Sequence, residues 1–366
     1  MMITANNGFI EQSERYAFDN AGESLKKYIL LQKGELAYNH GASKLRPFGS
    51  CFALTTAESA RIPFVYHCFS AENKNAEFLS IELNGSEVES QLRKIVSSGA
   101  RMDGLLNISF DEYSTVTVLL PDIKEQEHIA DFFRNLDHLI TLHQRKYDKL
   151  QVLKKAMLEK MFPKNGSSVP EIRFKGFTDA WEQRKLGEIL QERNTRTSDF
   201  ESNPLYSLTI ESGVTPKTDR YERSSLVTKT EDLFKTVKPN EFVTNPMNLR
   251  FGALGYNKNA FTVSVSGYYD VFSIDDDKCS GFWNAYFKTP TAMNIFDNAA
   301  TGSLIEKRRV KYSTLQQLAF YMPNDLSEKA EIGKYMDTFD HLITLHQREL
   351  EKLQNIKKSM LEKMFV

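Results

Sequence analysis

One short stretch of the sequence concentrates basic side chains. The segment that follows Ser303 contains Lys307, Arg308, Arg309 and Lys311, with a single valine among them. Lysine and arginine in such a cluster neutralise phosphate groups, which supplies much of the affinity of proteins for nucleic acid. The same composition also suits a basic turn that contacts only water, and the sequence leaves both interpretations open.

A second group of candidates lies in two related segments that contain asparagine and arginine. The segments run from Asn39 to Gly49 and from Asn245 to Gly252, and both end in a similar Leu-Arg-Phe-Gly element, with a proline inserted in the first. Asparagine and arginine recognise adenine and guanine edges through paired hydrogen bonds. Residues common to both segments are expected to support the fold or contact phosphates: Asn39, Arg46, Asn245 and Arg250. Residues that differ are expected to read bases: His40, Ser43, Lys44, Met247 and Asn248.

Signatures of catalysis are weak or absent. The sequence lacks the glycine-rich phosphate loop that ends in Gly-Lys-Ser/Thr, which argues against an ATP-driven motor. Asn203-Pro204-Leu205-Tyr206 is similar to the Asn-Pro-Pro-Tyr/Phe motif of amino-methyltransferases but lacks its second proline, and we interpret it as a turn that enters a strand. Cys51, Cys68 and Cys279 are far apart, which argues against a zinc site or disulfides. The sequence therefore predicts no catalytic residue, metal site or cofactor in this chain.

Bulk composition is that of an ordinary globular protein without a dominant charge. The 366 residues are 41% hydrophobic and 26% charged, with a formal net charge of −1. Neither residues 1–120 nor residues 166–320 form a polycation, so any contact with DNA must come from local clusters, with partners supplying further phosphate contacts. The sequence shows no signal peptide and no apolar run of membrane-helix length. These features and the scattered cysteines favour the cytoplasm.

An internal repeat organises the chain. Residues 137–162 and 340–365 are identical at 20 of 26 positions, at a constant offset of 203. The repeat continues upstream more weakly, through matched residues such as Gly8 and Gly213, but residues 169–206 have no partner in the first copy. We therefore expect a first domain that is shortened, or whose missing part comes from elsewhere. The predicted boundaries are residues 1–120, 121–165, 166–322 and 323–366.

The repeated segments predict two long helices. Neither proline nor glycine interrupts residues 124–162, and apolar residues recur every three or four positions, as in a coiled coil. Two such helices in one chain are expected to pack antiparallel and to separate two domains at a fixed distance. Oligomerisation is the alternative role. The residues expected in helix–helix packing are Ile129, Phe133, Leu136, Ile140, Leu150, Met157, Ile332, Phe339, Ile343, Leu350, Leu353 and Met360.

The segments between the helices predict domains of mixed α and β structure. Alternating polar and apolar residues indicate half-buried strands at residues 115–118 and 261–266, and residues 87–97 are typical of a short helix. The expected fold class is α+β, with two globular domains, two long helices and an internal pseudo-two-fold repeat.

These features together resemble the specificity subunit of Type I restriction–modification systems. Residues 170–177 (PEIRFKGF) and 181–188 (WEQRKLGE) resemble the usual opening of a target-recognition domain in that family, and residues 121–129 resemble its conserved region. The resemblance covers nearly the whole chain. The first domain departs from the pattern because it lacks an opening like residues 170–188.

The resemblance implies a non-catalytic subunit that binds double-stranded DNA. Each target-recognition domain would read one half of a split sequence, and the helical pair would set the gap. The implied partners are two modification subunits, which methylate adenine, and restriction subunits with a motor. S-adenosylmethionine, ATP and magnesium would belong to those partners.

Two other functions remain open from the sequence. The chain could be a self-contained methyltransferase or nuclease with recognition domains attached, although the motifs for either are missing. It could also be a truncated or half-active coiled-coil scaffold that assembles with partners without conferring DNA specificity, which the shortened first domain keeps under consideration.

Overall fold

The computed structural model describes residues 1–5, 8–14, 26–96, 105–164, 166–217, 233–275, 279–304 and 308–365. The chain divides into two compact units. Unit 1 comprises Met1–Gln144 and Arg348–Val366, and unit 2 comprises Arg145–Gln347. Each unit thus contains a β-rich domain together with one part of each long helix. The predicted domain boundaries follow the sequence repeat and remain predictions, whereas the two units follow the packing.

Unit 1 is built from small antiparallel sheets and short helices. The sheets have the orders β1-β2, β3-β6 and β5-β4-β7. Its strands are β1 (Met2–Thr4), β2 (Gly8–Ile10), β3 (Ile29–Gln32), β4 (Leu36–Asn39), β5 (Ser50–Ala53), β6 (Ser59–Ile62) and β7 (His67–Phe69). Its short helices are α1 (Ala76–Glu82), α2 (Ser86–Ile95) and α3 (Phe110–Tyr113). The helix predicted at residues 87–97 is confirmed by α2.

Local sequence signals explain how the short helices of unit 1 begin. The Asn75 side chain accepts a hydrogen bond from the Phe78 amide at the start of α1. Ser109 and Glu112 exchange side-chain and backbone hydrogen bonds at the start of α3, which is a capping box. The strand predicted at residues 115–118 is wrong, because the structure places no strand there.

Unit 2 has a more extensive set of strands. Its described sheets have the orders β15-β14-β17-β9, β10-β13-β16, β11-β12 and β18-β8. The first strands are β8 (Glu182–Lys185), β9 (Leu190–Arg193), β10 (Arg196–Thr197), β11 (Tyr206–Thr209), β12 (Gly213–Pro216) and β13 (Phe234–Val237). The remaining strands are β14 (Phe242–Thr244), β15 (Leu254–Tyr256), β16 (Val263–Val265), β17 (Asp270–Ile274) and β18 (Ala319–Met322). Its short helices are α5 (Ser280–Tyr286), α6 (Pro290–Ala299) and α7 (Tyr312–Leu315).

The core of unit 2 is rich in aromatic side chains. Phe242 and Phe272 stack at 5.6 Å between ring centroids, and Trp283 packs against Phe287 at 5.5 Å. The strand predicted within residues 261–266 is confirmed by β16, but the prediction that it is half-buried is wrong. All three residues of β16 are buried, because a second apolar cluster that includes the β11–β12 hairpin covers the sheet. Asn203-Pro204 lies in the turn that leads into β11, as predicted.

The two long helices are α4 (Ile123–Lys160) and α8 (Leu326–Met364). Asp122 accepts a hydrogen bond from the Glu125 amide at the start of α4, and Asp325 accepts one from the Ser327 amide at the start of α8. The 38 residues of α4 correspond to a length of about 57 Å. The predicted α+β fold with two long packed helices is confirmed. In the part of the chain that is described, no helix is long and apolar enough to span a membrane.

Within each unit the two helices run antiparallel. In unit 1, Lys357 binds Asp137 at 2.5 Å, while Phe133 packs against Phe365, so residue numbers rise along one helix as they fall along the other. In unit 2, Lys154 forms an ion pair with Asp340. The twelve residues predicted for helix packing are buried or partly buried. Several of them, such as Ile129 and Phe133 in unit 1, also contribute to the core of the β-rich domain.

Helices α5 and α8 of unit 2 approach each other closely at Gly333, so we expect an added methyl group there to be destabilising. A Cβ atom at Gly333 would lie 2.6 Å from the Phe282 backbone nitrogen. We expect Gly333→Ala to lower the free energy of unfolding by about 2 kcal/mol, because overpacking outweighs the better helix propensity of alanine. Ala130→Gly, at the equivalent position of unit 1, provides the matched control and should cost about 1 kcal/mol through propensity. Urea unfolding of both variants tests this, and a neutral or stabilising Gly333→Ala would contradict it.

Candidate nucleic-acid interface

The two segments singled out in the second half of the sequence meet on the surface of unit 2. The turn from Asn245 to Gly252 contains a short 3-10 helix, and Gly252 closes it with φ +88°. Asn245 stabilises the turn because its side-chain oxygen accepts a hydrogen bond from the Met247 amide at 3.1 Å. The Val310 amide donates to the carbonyl oxygen of Pro246 at 2.9 Å, which joins the basic segment to the turn.

Two of the predicted arginines hold this surface together. Arg250 Nη1 lies 2.9 Å from a carboxylate oxygen of Asp297, and Arg308 Nη1 lies 3.7 Å from the same oxygen. Arg308 also donates to the backbone carbonyls of Asp297 and Ala300, where α6 ends. A guanidinium at a helix C-terminus satisfies carbonyl groups that have no partner within the helix. The two side chains therefore stabilise the backbone and helix end that form this surface.

The remaining predicted residues of unit 2 that the structure describes are exposed. Asn248, Ser303, Arg309 and Lys311 have side chains open to solvent. No described acidic residue forms an ion pair with Arg309 or Lys311, so both cations are available to bind phosphates. Lys307 lies outside the described residues.

Apolar side chains complete the exposed part of the turn. Met247 and Phe251 are 46% and 52% exposed, and the Arg250 guanidinium lies 4.3 Å from the centre of the Phe251 ring. Apolar groups of this kind can contact thymine methyl groups in the major groove. Together with Asn248 they give the turn a mixed polar and apolar exposed surface.

Unit 1 repeats one of the contacts that support the turn. The Asn39 side chain accepts a hydrogen bond from the Gly41 amide at 2.9 Å, two residues further on, as Asn245 does in unit 2. Arg46 Nη1 donates to the carbonyl oxygen of Asn84 at 2.7 Å, near the end of α1. Burial lowers the pKa of the Arg46 guanidinium from its ordinary value, and Glu89 partly opposes this shift. These shared side chains thus have structural contacts in both units.

The exposed candidates in unit 1 are fewer than the sequence predicts. Ser43 and Lys44 are exposed. His40 is buried, with Nδ1 2.9 Å from the carbonyl oxygen of Leu106 and Nε2 2.8 Å from that of Val65. This conflicts with the prediction that His40 reads a base, because both ring nitrogens already face backbone carbonyls inside the domain.

Each unit has an exposed aromatic residue between two strands, which is a further candidate that the sequence did not reveal. Tyr268, between β16 and β17, is 90% exposed, and Phe64, between β6 and β7, is 51% exposed. Aromatic side chains on a mobile or protruding turn can stack on bases or contact the groove. The only signal in the sequence is the turn-forming Ser266-Gly267 pair before Tyr268, which marks a turn but not its exposure.

The arrangement suits binding rather than catalysis. Exposed amide, cationic and apolar groups are placed on turns that are held by partly buried arginines, as in surfaces that recognise nucleic acid. Among the described residues, no three His, Cys, Asp or Glu side chains converge to hold a metal ion.

Comparisons with known proteins agree with this geometry. Residues 178–355 match the family described as the Type I restriction modification DNA specificity domain. The fold is similar to that of the Type I restriction–modification S subunit from M. genitalium, with 11% identity, a TM-score of 0.58, and coverage of 92% of this chain and 84% of that one. Matches also include the HsdS subunit from Thermoanaerobacter tengcongensis, at 15% identity and a TM-score of 0.42 over 92% of this chain and 81% of that one.

The match to the specificity domain reaches into α8, whose sequence is nearly repeated in α4. Both units also contain a turn with the same asparagine contact, preceded by a similar β-hairpin that closes at Gly8 in unit 1 and at Gly213 in unit 2. Residues 178–355 therefore belong to the family of Type I restriction modification DNA specificity domains, and the fold of the chain is similar to that of a Type I restriction–modification S subunit.

Proposed function

We propose that each unit of this specificity subunit reads one half of a bipartite DNA target. The observation that carries this proposal is the repetition of one supported turn in both units, with different exposed side chains on it. The turn contact of Asn39 recurs at Asn245, and each turn is also held by an arginine, Arg46 through the carbonyl oxygen of Asn84 and Arg250 through the carboxylate of Asp297. A common scaffold with different exposed residues is what two readers of different half-sites require.

As a specificity subunit, the chain is the non-catalytic component of its complex, and the cofactors belong to the modification and restriction subunits. We propose that two modification subunits join it to methylate adenine, using S-adenosylmethionine, and that restriction subunits join the same complex. Action on chromosomal DNA would place the assembly in the cytoplasm.

The long helices are proposed to set the spacing of the half-sites and to dock the modification subunits. In unit 1, Leu142 on α4 is 37% exposed, and in unit 2 its repeat counterpart Leu345 on α8 is 42% exposed. Each lies within the same sequence, Thr-Leu-His-Gln-Arg. Two identical exposed stretches, each centred on an apolar residue, suit two copies of one partner.

Reconstitution with modification subunits tests the proposal. The chain and its modification subunits would be incubated with S-adenosylmethionine and a DNA library of randomised sequence, and the methylated adenines would then be mapped. We expect one class of bipartite site with a fixed gap. Methylation without sequence preference would contradict the proposal. A complex that assembles but never engages DNA would instead support the second candidate function, a scaffold without specificity. This candidate is favoured by the smaller set of strands among the described residues of unit 1.

Loss of two cations on the unit 2 surface should weaken DNA binding at every sequence. Arg309→Ala combined with Lys311→Ala is expected to lower the magnitude of the slope of log affinity against log salt by about 2, because each phosphate contact releases about one counterion. Fluorescence anisotropy of the reconstituted complex over a salt series measures this slope. The exchange of Arg309→Lys with Lys311→Arg keeps both charges and should leave the slope unchanged. An unaltered slope in the alanine variant would show that these two residues do not contact phosphates.

A further inference from the structure

Three sheets of unit 2 contain a strand that has no counterpart in the described residues of unit 1. Strand β9 extends the sheet β15-β14-β17, β10 extends β13-β16, and β8 pairs with β18. The corresponding sheets of unit 1 are β5-β4-β7 and β3-β6, and no strand is present at residues 117–120, which correspond to β18. All three additional strands come from one part of unit 2, residues 169–197, which we call the opening segment.

No strand among the described residues of unit 1 covers the edge that corresponds to the one β8 covers in unit 2. In unit 2 the Leu186 amide donates to the carbonyl oxygen of Leu318 at 2.8 Å, and the β18 residues that follow pair with β8. In unit 1 the Gln91 side-chain amide bonds both the amide and the carbonyl of Thr117, at 2.9 and 2.8 Å. Backbone groups of successive residues in an extended chain point to opposite edges, so Gln91 leaves the other edge uncovered. Leu119, on this segment, is 78% exposed.

A glutamate at the start of each long helix shows the same contrast. In unit 2 the Glu328 side chain is 1% exposed, and the Arg173 guanidinium binds both of its oxygens at 2.5 and 2.7 Å. The indole nitrogen of Trp181 also donates to it at 3.4 Å. Its repeat counterpart in unit 1, Glu125, is exposed, and no described cation forms an ion pair with it. Both partners of Glu328 belong to the opening segment.

Apolar residues beside these glutamates differ in the same way. In unit 2, Met161 is 2% exposed, and the neighbouring Phe162 packs edge-on against Trp181 at 6.2 Å between ring centroids. In unit 1 their counterparts are Met364, which is 41% exposed, and Phe365, which is only partly buried. Where unit 2 holds its opening segment, the described residues of unit 1 thus leave hydrogen-bonding edges and a carboxylate without a partner and an apolar surface partly exposed.

We propose that unit 1 binds a strand-forming segment that lies outside residues 1–366 and has the chemistry of residues 169–197. The bound segment supplies an arginine to Glu125, a tryptophan to the apolar surface at Phe365, and short strands to the edges of β3, β7 and residues 117–120. Addition of a strand to an open sheet edge is a common mode of peptide recognition. The opening segment of this chain is already engaged in unit 2, so a second copy would have to give up its own packing to donate it. This interaction surface is separate from the proposed reading of DNA.

A synthetic peptide of residues 169–197, acetylated and amidated, tests the proposal against the full chain. We expect one peptide to bind per chain, with slower amide hydrogen exchange in β3, β7 and residues 117–120. Glu125→Gln should weaken binding by at least about tenfold, because it removes a charge-assisted, bidentate hydrogen bond. Arg173→Ala in the peptide should have a similar effect. Glu127→Gln, two residues away on the same helix, is the matched control and should leave binding unchanged.

Three results of the peptide experiment would overturn the proposal. One is the absence of peptide binding, and another is equal binding by the Glu125→Gln and Glu127→Gln variants. The third is protection in unit 2 instead of unit 1, which would show exchange with the resident segment. The mass of the chain alone in solution is the second measurement. A monomer is expected, whereas a dimer that the peptide dissociates would make a second copy the occupant and contradict the assignment to a segment outside residues 1–366.

Discussion

Glu328→Ala is expected to lower the free energy of unfolding of unit 2 by about 3–5 kcal/mol, because it leaves a largely buried cation without its partner. The Arg173 guanidinium, whose hydrogen bonds to Glu328 raise its pKa above the ordinary value, would lose its carboxylate. Trp181, which is 2% exposed, would lose an acceptor for its indole N–H. The effect should spread to β8, because Trp181 immediately precedes this strand and anchors it. Urea unfolding followed by tryptophan fluorescence measures the loss, since both tryptophans of the chain lie in unit 2.

The repeat provides the control for this prediction. Glu125 occupies the equivalent position of unit 1 but is exposed. We expect Glu125→Ala to change stability by no more than about 0.5 kcal/mol, as for other surface substitutions. Equal effects of Glu328→Ala and Glu125→Ala on the free energy of unfolding would contradict the claim that the burial of the glutamate decides its contribution to stability. A small effect of Glu328→Ala would show that the ion pair with Arg173 is not needed to hold residues 169–197 in place.

A matched insertion in the two long helices should lengthen the recognised DNA gap and leave both half-sites unchanged. In unit 2, Lys154 of α4 pairs with Asp340 of α8. Because the helices are antiparallel there, Leu150 faces the neighbourhood of Thr344. A heptad added after each of these two residues preserves the apolar seam and adds about 10.5 Å. At 3.4 Å per base pair, the gap should grow by about three base pairs.

Mapping of methylated sites by the reconstituted complex measures the gap directly. A three-residue insertion at the same two positions serves as the control, because it breaks the 3.5-residue period of the seam. We expect it to reduce methylation of all bipartite sites. A heptad variant that recognises different half-sites, or that keeps the original gap, would contradict the proposal that the helices set the spacing.

The long helices and the family could be predicted from the sequence because their signals are local or repeated. The seam residues of α4 and α8 recur every three or four positions, and the repeat made them visible twice. The strand expected at residues 115–118 shows where local patterns fail. Its alternation resembles that of a strand, but the equivalent β18 forms only in contact with β8, which comes from residues 182–185, far away in the sequence.

The candidate interface could be predicted only in part. The turn at Asn245 and the basic segment at Arg309 were both identified, but their contact through Pro246 and Val310 joins residues 64 positions apart, which composition does not reveal. The burial of His40 was also hidden, because it depends on carbonyl groups that distant segments bring to both ring nitrogens. Exposure, in contrast to residue type, is a property of the folded domain.

The most direct test of the central claim is a map of adenine methylation in cells that express the modification subunits with this chain or with a variant. The variant would combine Met247→Ala with Asn248→Ala, which alters exposed side chains on the unit 2 turn without touching its support. We predict that the parent chain directs methylation to one bipartite motif. The variant should relax or change one half of that motif, while the other half and the gap stay the same. An identical motif with the variant, or changes in both halves, would contradict the claim that each unit reads its own half-site.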